Sequence, residues 1–141
     1  MSKKIVIDPG HGGEDPGTSG NGIIEKNFNL EISKYMLDRL KELGIDASIT
    51  RDSDVALSPS VRPKTAQSFY GTGTDVIVVS NHINSGGGDG AEIIYSLRNT
   101  DALSKKIAKE FENNGQNVRK YYQRRLPSNP AKDYYYMLRD T

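Results

Sequence analysis

The chain has no cysteine among its 141 residues, which excludes disulfides and cysteine-rich metal sites outright. That absence fits either redox compartment and says nothing of location. No apolar run approaches the roughly 20 residues that a membrane-spanning helix needs, so helical membrane insertion is excluded as well. Excess charge of one sign is also missing: 19 Lys and Arg against 18 Asp and Glu leave a formal net charge of +1. Such a balance gives no field that would draw nucleic acid or a membrane surface as partner. The opening Met1-Ser2-Lys3-Lys4 leads into only a few apolar residues, too short for the core of a signal peptide. The sequence shows no internal repeat, linker or low-complexity tract. Histidine is scarce too, with only His11 and His82 present.

What remains is a chain of one-domain length, residues 1–141, with 35% hydrophobic and 26% charged residues. Strands are predicted at Lys4–Asp8, Ala47–Arg51, Asp75–His82, Ala91–Ser96 and Tyr134–Leu138. Helices are predicted at Glu25–Leu43, Ser60–Tyr70 and Ala102–Asn114. In the first helix Phe28, Ile32, Tyr35, Met36, Leu40 and Leu43 recur at helical steps, and Gly44 stands where a C-cap glycine belongs. Leu103, Ile107, Ala108 and Phe111 repeat the pattern before Gly115, while Pro63 is tolerable only near the first turn of the second helix. Val76–Val79 is continuously apolar and reads as a strand buried on both faces. The order of elements predicts an α/β fold: a mostly parallel mixed sheet covered by helices on both faces, with an antiparallel insertion near Ala91–Ser96.

Each histidine sits where an apolar strand run ends, His11 after Ile5-Val6-Ile7-Asp8-Pro9-Gly10 and His82 after Val76-Ile77-Val78-Val79-Ser80-Asn81. Ligand sites of α/β proteins gather at such strand ends. With Glu25 opening the first helix, two imidazoles and one carboxylate make a hydrolytic zinc set. On spacing alone, two histidines that merely hydrogen-bond loop backbone are the competing reading.

The surrounding residues decide between these. Ile5-Val6-Ile7-Asp8-Pro9-Gly10-His11-Gly12-Gly13 followed by Asp15-Pro16-Gly17, then Glu25 with Asn27 and Leu30, Thr50-Arg51 with Arg62, Ser80-Asn81-His82-Ile83-Asn84 and Gly90-Ala91-Glu92-Ile93-Ile94-Tyr95 stand in this order along the chain. Together they resemble the zinc-dependent N-acetylmuramoyl-L-alanine amidases of the third amidase family, Amidase_3. The resemblance implies a peptidoglycan hydrolase that cuts the amide between the lactyl group of muramic acid and the L-alanine of the stem peptide. It implies Zn²⁺ held by His11, Glu25 and His82, the muramyl peptide as partner, and a place of action at the bacterial cell wall. Wall remodelling, sporulation and phage lysis are all settings for such chemistry. A chain without a signal sequence reaches the wall by another route, in the manner of a phage lysin, or after excision from a longer precursor.

Other residues take roles by the same resemblance. Gly10, Gly12 and Gly13 let backbone crowd the metal without obstructing side chains. Asn84 partners a ligand or a substrate amide, with a turn role as its alternative. Arg62 binds a stem-peptide carboxylate or makes a salt bridge on the helix surface. Glu92 belongs to a family motif and reads as structural, or as a peripheral contact to substrate. Asp8 supports the His11 loop through backbone amides.

The family also carries a late glutamate, its general base and acid, after a segment resembling Tyr136-Met137-Leu138-Arg139-Asp140-Thr141. That residue, with the last strand and helix of the family, is expected beyond Thr141. Loss of those elements uncovers a sheet edge and one face of the core, which predicts lowered stability or association between chains. Two other classes compete: a peptidoglycan-binding module without turnover, and a zinc peptidase or deacetylase on another acyl substrate. A basic, aromatic segment, Asn117 to Pro130 with Tyr134-Tyr135-Tyr136, reads as a solvated loop or as a surface for glycan or nucleic acid.

Overall fold

A computed structural model describes residues 2–141 of the chain as two compact units, one formed by residues up to Ser85 and the other by Gly86–Asp140. The first contains β1 (Lys4–Pro9), β2 (Ser19–Gly20), β3 (Ile23–Ile24), α1 (Glu25–Glu42), β4 (Ala47–Ile49), α2 (Arg62–Tyr70) and β5 (Val76–Asn81). The second contains β6 (Ala91–Ile94), α3 (Ala102–Asn113), β7 (Val118–Tyr122), β8 (Arg125–Leu126), β9 (Asn129–Asp133) and α4 (Tyr136–Asp140). This is the α/β fold with parallel strands and helices that the sequence predicts. Among the described residues no helix is long and apolar enough to cross a membrane.

In the first unit β1 lies between β4 and β5, and both pairings are parallel. Side chains alternate across such a strand, so neighbouring residues face opposite layers. Asp8, in register with Ser80, turns to α2 and meets Arg62. Pro9 is in register with Asn81, whose side-chain amide instead reaches Ser33 and Met36 on α1. The two helices therefore cover opposite faces. Val6 and Ile7 are fully buried between them, each contributing about 1.5–3 kcal/mol of transfer free energy.

α1 ends as predicted: the Gly44 amide donates to Lys41 at 2.9 Å with φ at 71°, and the Ile45 amide reaches Leu40 at 2.9 Å. Most of its apolar row does not face the sheet, however, although Met36 meets Asn81. Phe28, Ile32, Tyr35 and Leu43 are exposed, and the buried residues are Glu25, Asn29 and Ser33. The helix is rotated so that its short polar side chains serve the strand ends. Pro63 falls in the first turn of α2, where its missing N–H costs nothing.

Three other expectations are corrected. β5 is half-buried along its length because it is paired on one side only in the described sheet. β6 is parallel, not antiparallel: it pairs with β7 through the α3 crossover, with Ile93 opposite Tyr121. Arg119 and Lys120 disguise β7 as loop in the sequence. Finally, Tyr134–Leu138 is not a strand. β9 stops at Asp133, whose carboxylate accepts Ser96 Oγ at 2.8 Å and the Leu97 amide at 3.0 Å. The tyrosines then turn into α4, the Leu138 and Arg139 amides both donating to the Tyr135 carbonyl. Tyrosine favours strands, but these local bonds outweigh that preference.

The strongest internal constraint is the ion pair between Asp8 and Arg62, 2.9 Å apart with side chains 0% and 3% exposed. Removing one partner leaves the other charge buried and alone, which costs about 3–5 kcal/mol. Arg62→Met and Asp8→Leu should each lower the free energy of unfolding in urea by about 3–5 kcal/mol. The double variant should lose clearly less than the sum of the two. Additive losses in this cycle would show that the charges are not coupled.

Candidate metal centre

Beyond β1 the chain has to turn within a few residues, and its carbonyls there lack strand partners. Two buried arginines supply them. Arg51 donates Nε to the Pro9 carbonyl at 3.1 Å and Nη2 to those of Gly10 at 2.9 Å and Lys26 at 3.0 Å. Arg62 donates Nη1 to Pro9 at 2.6 Å and Nη2 to His11 at 2.9 Å. Asp8 holds Arg62 from beneath, and also accepts Thr50 Oγ1 at 2.7 Å and Ser80 Oγ at 2.6 Å. So clamped, His11 takes a left-handed backbone, φ 60°, a conformation that histidine tolerates better than most residues. The Gly12 and Asp15 amides and carbonyls exchange bonds to close the turn.

Glu25 arrives from the first turn of α1, where a negative side chain also suits the helix dipole. Its Oε1 is the point of convergence. His11 Nε2 lies 3.1 Å away, His82 Nδ1 lies 3.1 Å away, and the Ile83 amide donates to it at 2.9 Å. Oε2 is fixed separately by the Thr18 amide at 2.8 Å. Burial pushes the Glu25 carboxyl up, but the Thr18 and Ile83 amides and the nearby His11 outweigh it and hold the group below its ordinary value. Burial lowers the His82 imidazole, against the opposing pull of Glu25, so the ring is neutral near pH 7. The imidazole rings stand nearly perpendicular, 81°, with centroids 5.0 Å apart.

The donor set fits a divalent ion. One ligand atom from each of His11, Glu25 and His82 lies within 4.8 Å of the others. Glu25 Oε1 lies 3.1 Å from each imidazole nitrogen, near the roughly 3.4 Å edge of a tetrahedron with bonds of about 2.0–2.2 Å, and two imidazoles with one carboxylate leave the assembly net positive around such an ion. His11 Nδ1 is 2.7 Å from Asp15 Oδ2, which fixes the tautomer and leaves Nε2 as the lone-pair donor. That bond to His11 is the main reason why the Asp15 carboxyl is held down.

Sequence reasoning brings His11, Glu25 and His82 to one place. It misassigns some of their neighbours. Arg62 is neither at substrate nor on a helix surface; it is buried and bonded to the carbonyls that shape the loop. Asp8 engages side chains of three other segments, not loop amides. Asn84 is exposed, two residues past His82. Glu92 lies in the second unit, paired with Arg119 at 3.3 Å and Lys120 at 3.9 Å and bonded by the Tyr122 hydroxyl. Gly10 does crowd a candidate ligand: a Cβ there would lie 2.3 Å from the His82 ring. Gly12 and Gly13 pack instead on Val55 and Ala56. Asp15, Arg51, Asn29 and Gly17 were given no role by sequence. Asp15 carried a usable signal in its spacing, four residues after His11. For Gly17 only the structure reveals the need, because a Cβ would strike Glu25 and His11 at φ 68°.

Over residues 5–141 the chain matches the family described as N-acetylmuramoyl-L-alanine amidase. It is 42% identical over 91 residues to the sporulation-specific N-acetylmuramoyl-L-alanine amidase of Bacillus subtilis, a match covering 63% of this chain and 34% of that protein. It is 32% identical over 139 residues to N-acetylmuramoyl-L-alanine amidase CwlM of Bacillus licheniformis, covering 91% and 53%. Among solved structures, N-acetylmuramoyl-L-alanine amidase AmiC2 of Nostoc punctiforme superposes with a TM-score of 0.79 at 29% identity, covering 99% of this chain and 73% of that one. The chain spans about half or less of the length of these curated relatives.

The bond from Asp15 to His11 is open to direct test. Asp15→Asn keeps the shape but removes the charge, and should weaken divalent-ion binding about 10–100-fold in competition with a chelating dye. Unchanged affinity would mean that Asp15 merely rests against an imidazole already oriented by the loop.

Proposed function

The chain belongs to the N-acetylmuramoyl-L-alanine amidase family, and on that premise we propose that it acts at the bacterial cell wall on the amide between muramic acid and L-alanine, with zinc held by His11, Glu25 and His82. The observation that carries this reading is the convergence of both imidazoles on Glu25 Oε1, with the far nitrogen of His11 fixed by Asp15. Zinc in such a site supplies a Lewis acid that polarises the scissile carbonyl and lowers the pKa of water to about 7. The chain's own contribution is positional. Arg51 and Arg62 set the His11 loop, the Thr18 and Ile83 amides keep Glu25 ionised and aimed, and Gly10 makes room for the His82 ring. His82 is half-exposed, with a side chain 47% accessible, so substrate reaches the ligand cluster from its side.

Proton transfer needs another group. Among the described residues Glu25 and Asp15 are the carboxylates that touch the two histidines, and each already has an assignment. We assign that step to the late glutamate implied by the family resemblance. A chain extended by the segment bearing that glutamate should release stem peptides about 10²–10⁴-fold faster than the same chain with that glutamate replaced by glutamine. The product to assay is a stem peptide with a free L-alanine amine. Acetate release would point to a deacetylase, and wall binding without any release by the extended chain would favour a binding module.

Zinc content by elemental analysis after dialysis comes first. About one ion per chain is expected, and it should be lost in His11→Ala combined with His82→Ala. Protons compete with the ion for ligand lone pairs, so affinity should fall in acid; burial lowers the His82 imidazole, so that ring competes only below the ordinary histidine value of about 6.5. Zinc retained to pH 4 would contradict a histidine-held site.

A further inference from the structure

From Asn113 to Lys132 the chain has no carboxylate, yet Arg119, Lys120, Arg124, Arg125 and Lys132 all lie there and all are exposed. The structure shows how some of them are held. The Arg124 guanidinium lies 3.9 Å from the centre of the Tyr134 ring, 5.7 Å from that of Tyr135, and donates Nη1 to the Tyr135 hydroxyl at 3.1 Å. The Lys120 ammonium sits 4.2 Å from the centre of the Tyr122 ring. The Tyr134 and Tyr135 rings meet edge to face at 5.0 Å, which fixes the platform under Arg124. Arg125 is tied to the Pro130 carbonyl at 2.7 Å across its hairpin.

Surface cations are ordinarily placed by carboxylates, which cancel the charge that they position. A tyrosine face positions a cation through its quadrupole and leaves the charge in place. Glu92 offsets part of this surface, through Arg119 and, more loosely, Lys120, and the buried Asp133 stands opposite Arg125 in register. A guanidinium held over a ring keeps N–H groups for an oxyanion, and a flanking ammonium adds a point charge. Sugar stacking is disfavoured, because Arg124 already covers Tyr134 and Tyr135 meets its ring.

We infer that the second unit, through Lys120 on Tyr122 and Arg124 on Tyr134 and Tyr135, binds a linear cell-wall polymer whose backbone carries phosphodiesters. The choice of a wall polymer rests on the proposed function; the anion chemistry rests on the cation and tyrosine array. A repeating polyanion engages several of these cations together, which a single stem-peptide carboxylate does not.

The test is binding of labelled poly(glycerol phosphate) to the full chain in 50 and 200 mM salt, beside single-stranded DNA of matched charge. Four phosphate contacts would weaken binding about 50-fold across that salt range. Lys120→Ala with Arg124→Ala should lower affinity about tenfold at 50 mM salt, with the thermal melt unchanged. Should that variant unfold, Arg125→Gln with Lys132→Gln, at exposed positions, should lower affinity similarly. The His11→Ala, His82→Ala chain should bind the polymer normally, so failure of the amidase reading and failure of this one are separable. No binding to the polymer, equal binding by the folded cation variants, or tighter binding of the DNA would overturn the proposal.

Discussion

The first unit depends on one carboxylate, Asp8, set in a place that water does not reach. It is fully buried, yet Thr50, Ser80 and Arg62 all give it hydrogen bonds. Its charge fixes Arg62, and Arg62 carries that order up to the Pro9 and His11 carbonyls. Arg51 does the same for Gly10 and Lys26. The candidate ligands are thus held at one remove by cations that touch none of them through their side chains. Buried ion pairs are poor sources of net stability, but this one fixes which backbone groups have partners.

The candidate site is built to a single geometry by the same logic. Both Glu25 oxygens are committed by backbone amides, His11 is oriented by Asp15, and the glycines at 10 and 17 leave room that any side chain would fill. A ligand set of this kind needs little rearrangement when an ion enters, which is how a small number of donors achieves strong binding.

The two candidate imidazole ligands were legible in the sequence because scarcity singled them out: both histidines close apolar strand runs. The sheet around β1 was legible because Ile5-Val6-Ile7 and Val76–Val79 have no other reading. Arg62 was misread because a helix-opening arginine looks the same whether it points outward or into the core. The apolar row of α1 misled for a related reason. Periodicity reports that a face exists, and the short polar residues Asn29 and Ser33 give no hint that they lie against the sheet. β7 was hidden because its outward residues are charged, and the late tyrosines were drawn out of a strand by bonds that propensity does not contain.

A chain with no cysteine has no covalent means of tying distant segments together. The His82 to Glu25 contact joins residues 57 apart in sequence, and His11 joins the same carboxylate from the other side. An ion shared by the three would act as a reversible cross-link, closing loops in the folded chain that the unfolded chain leaves open. Chemistry and mechanical integrity would then rest on one atom. A compartment that withholds the metal would control the persistence of the fold along with its activity.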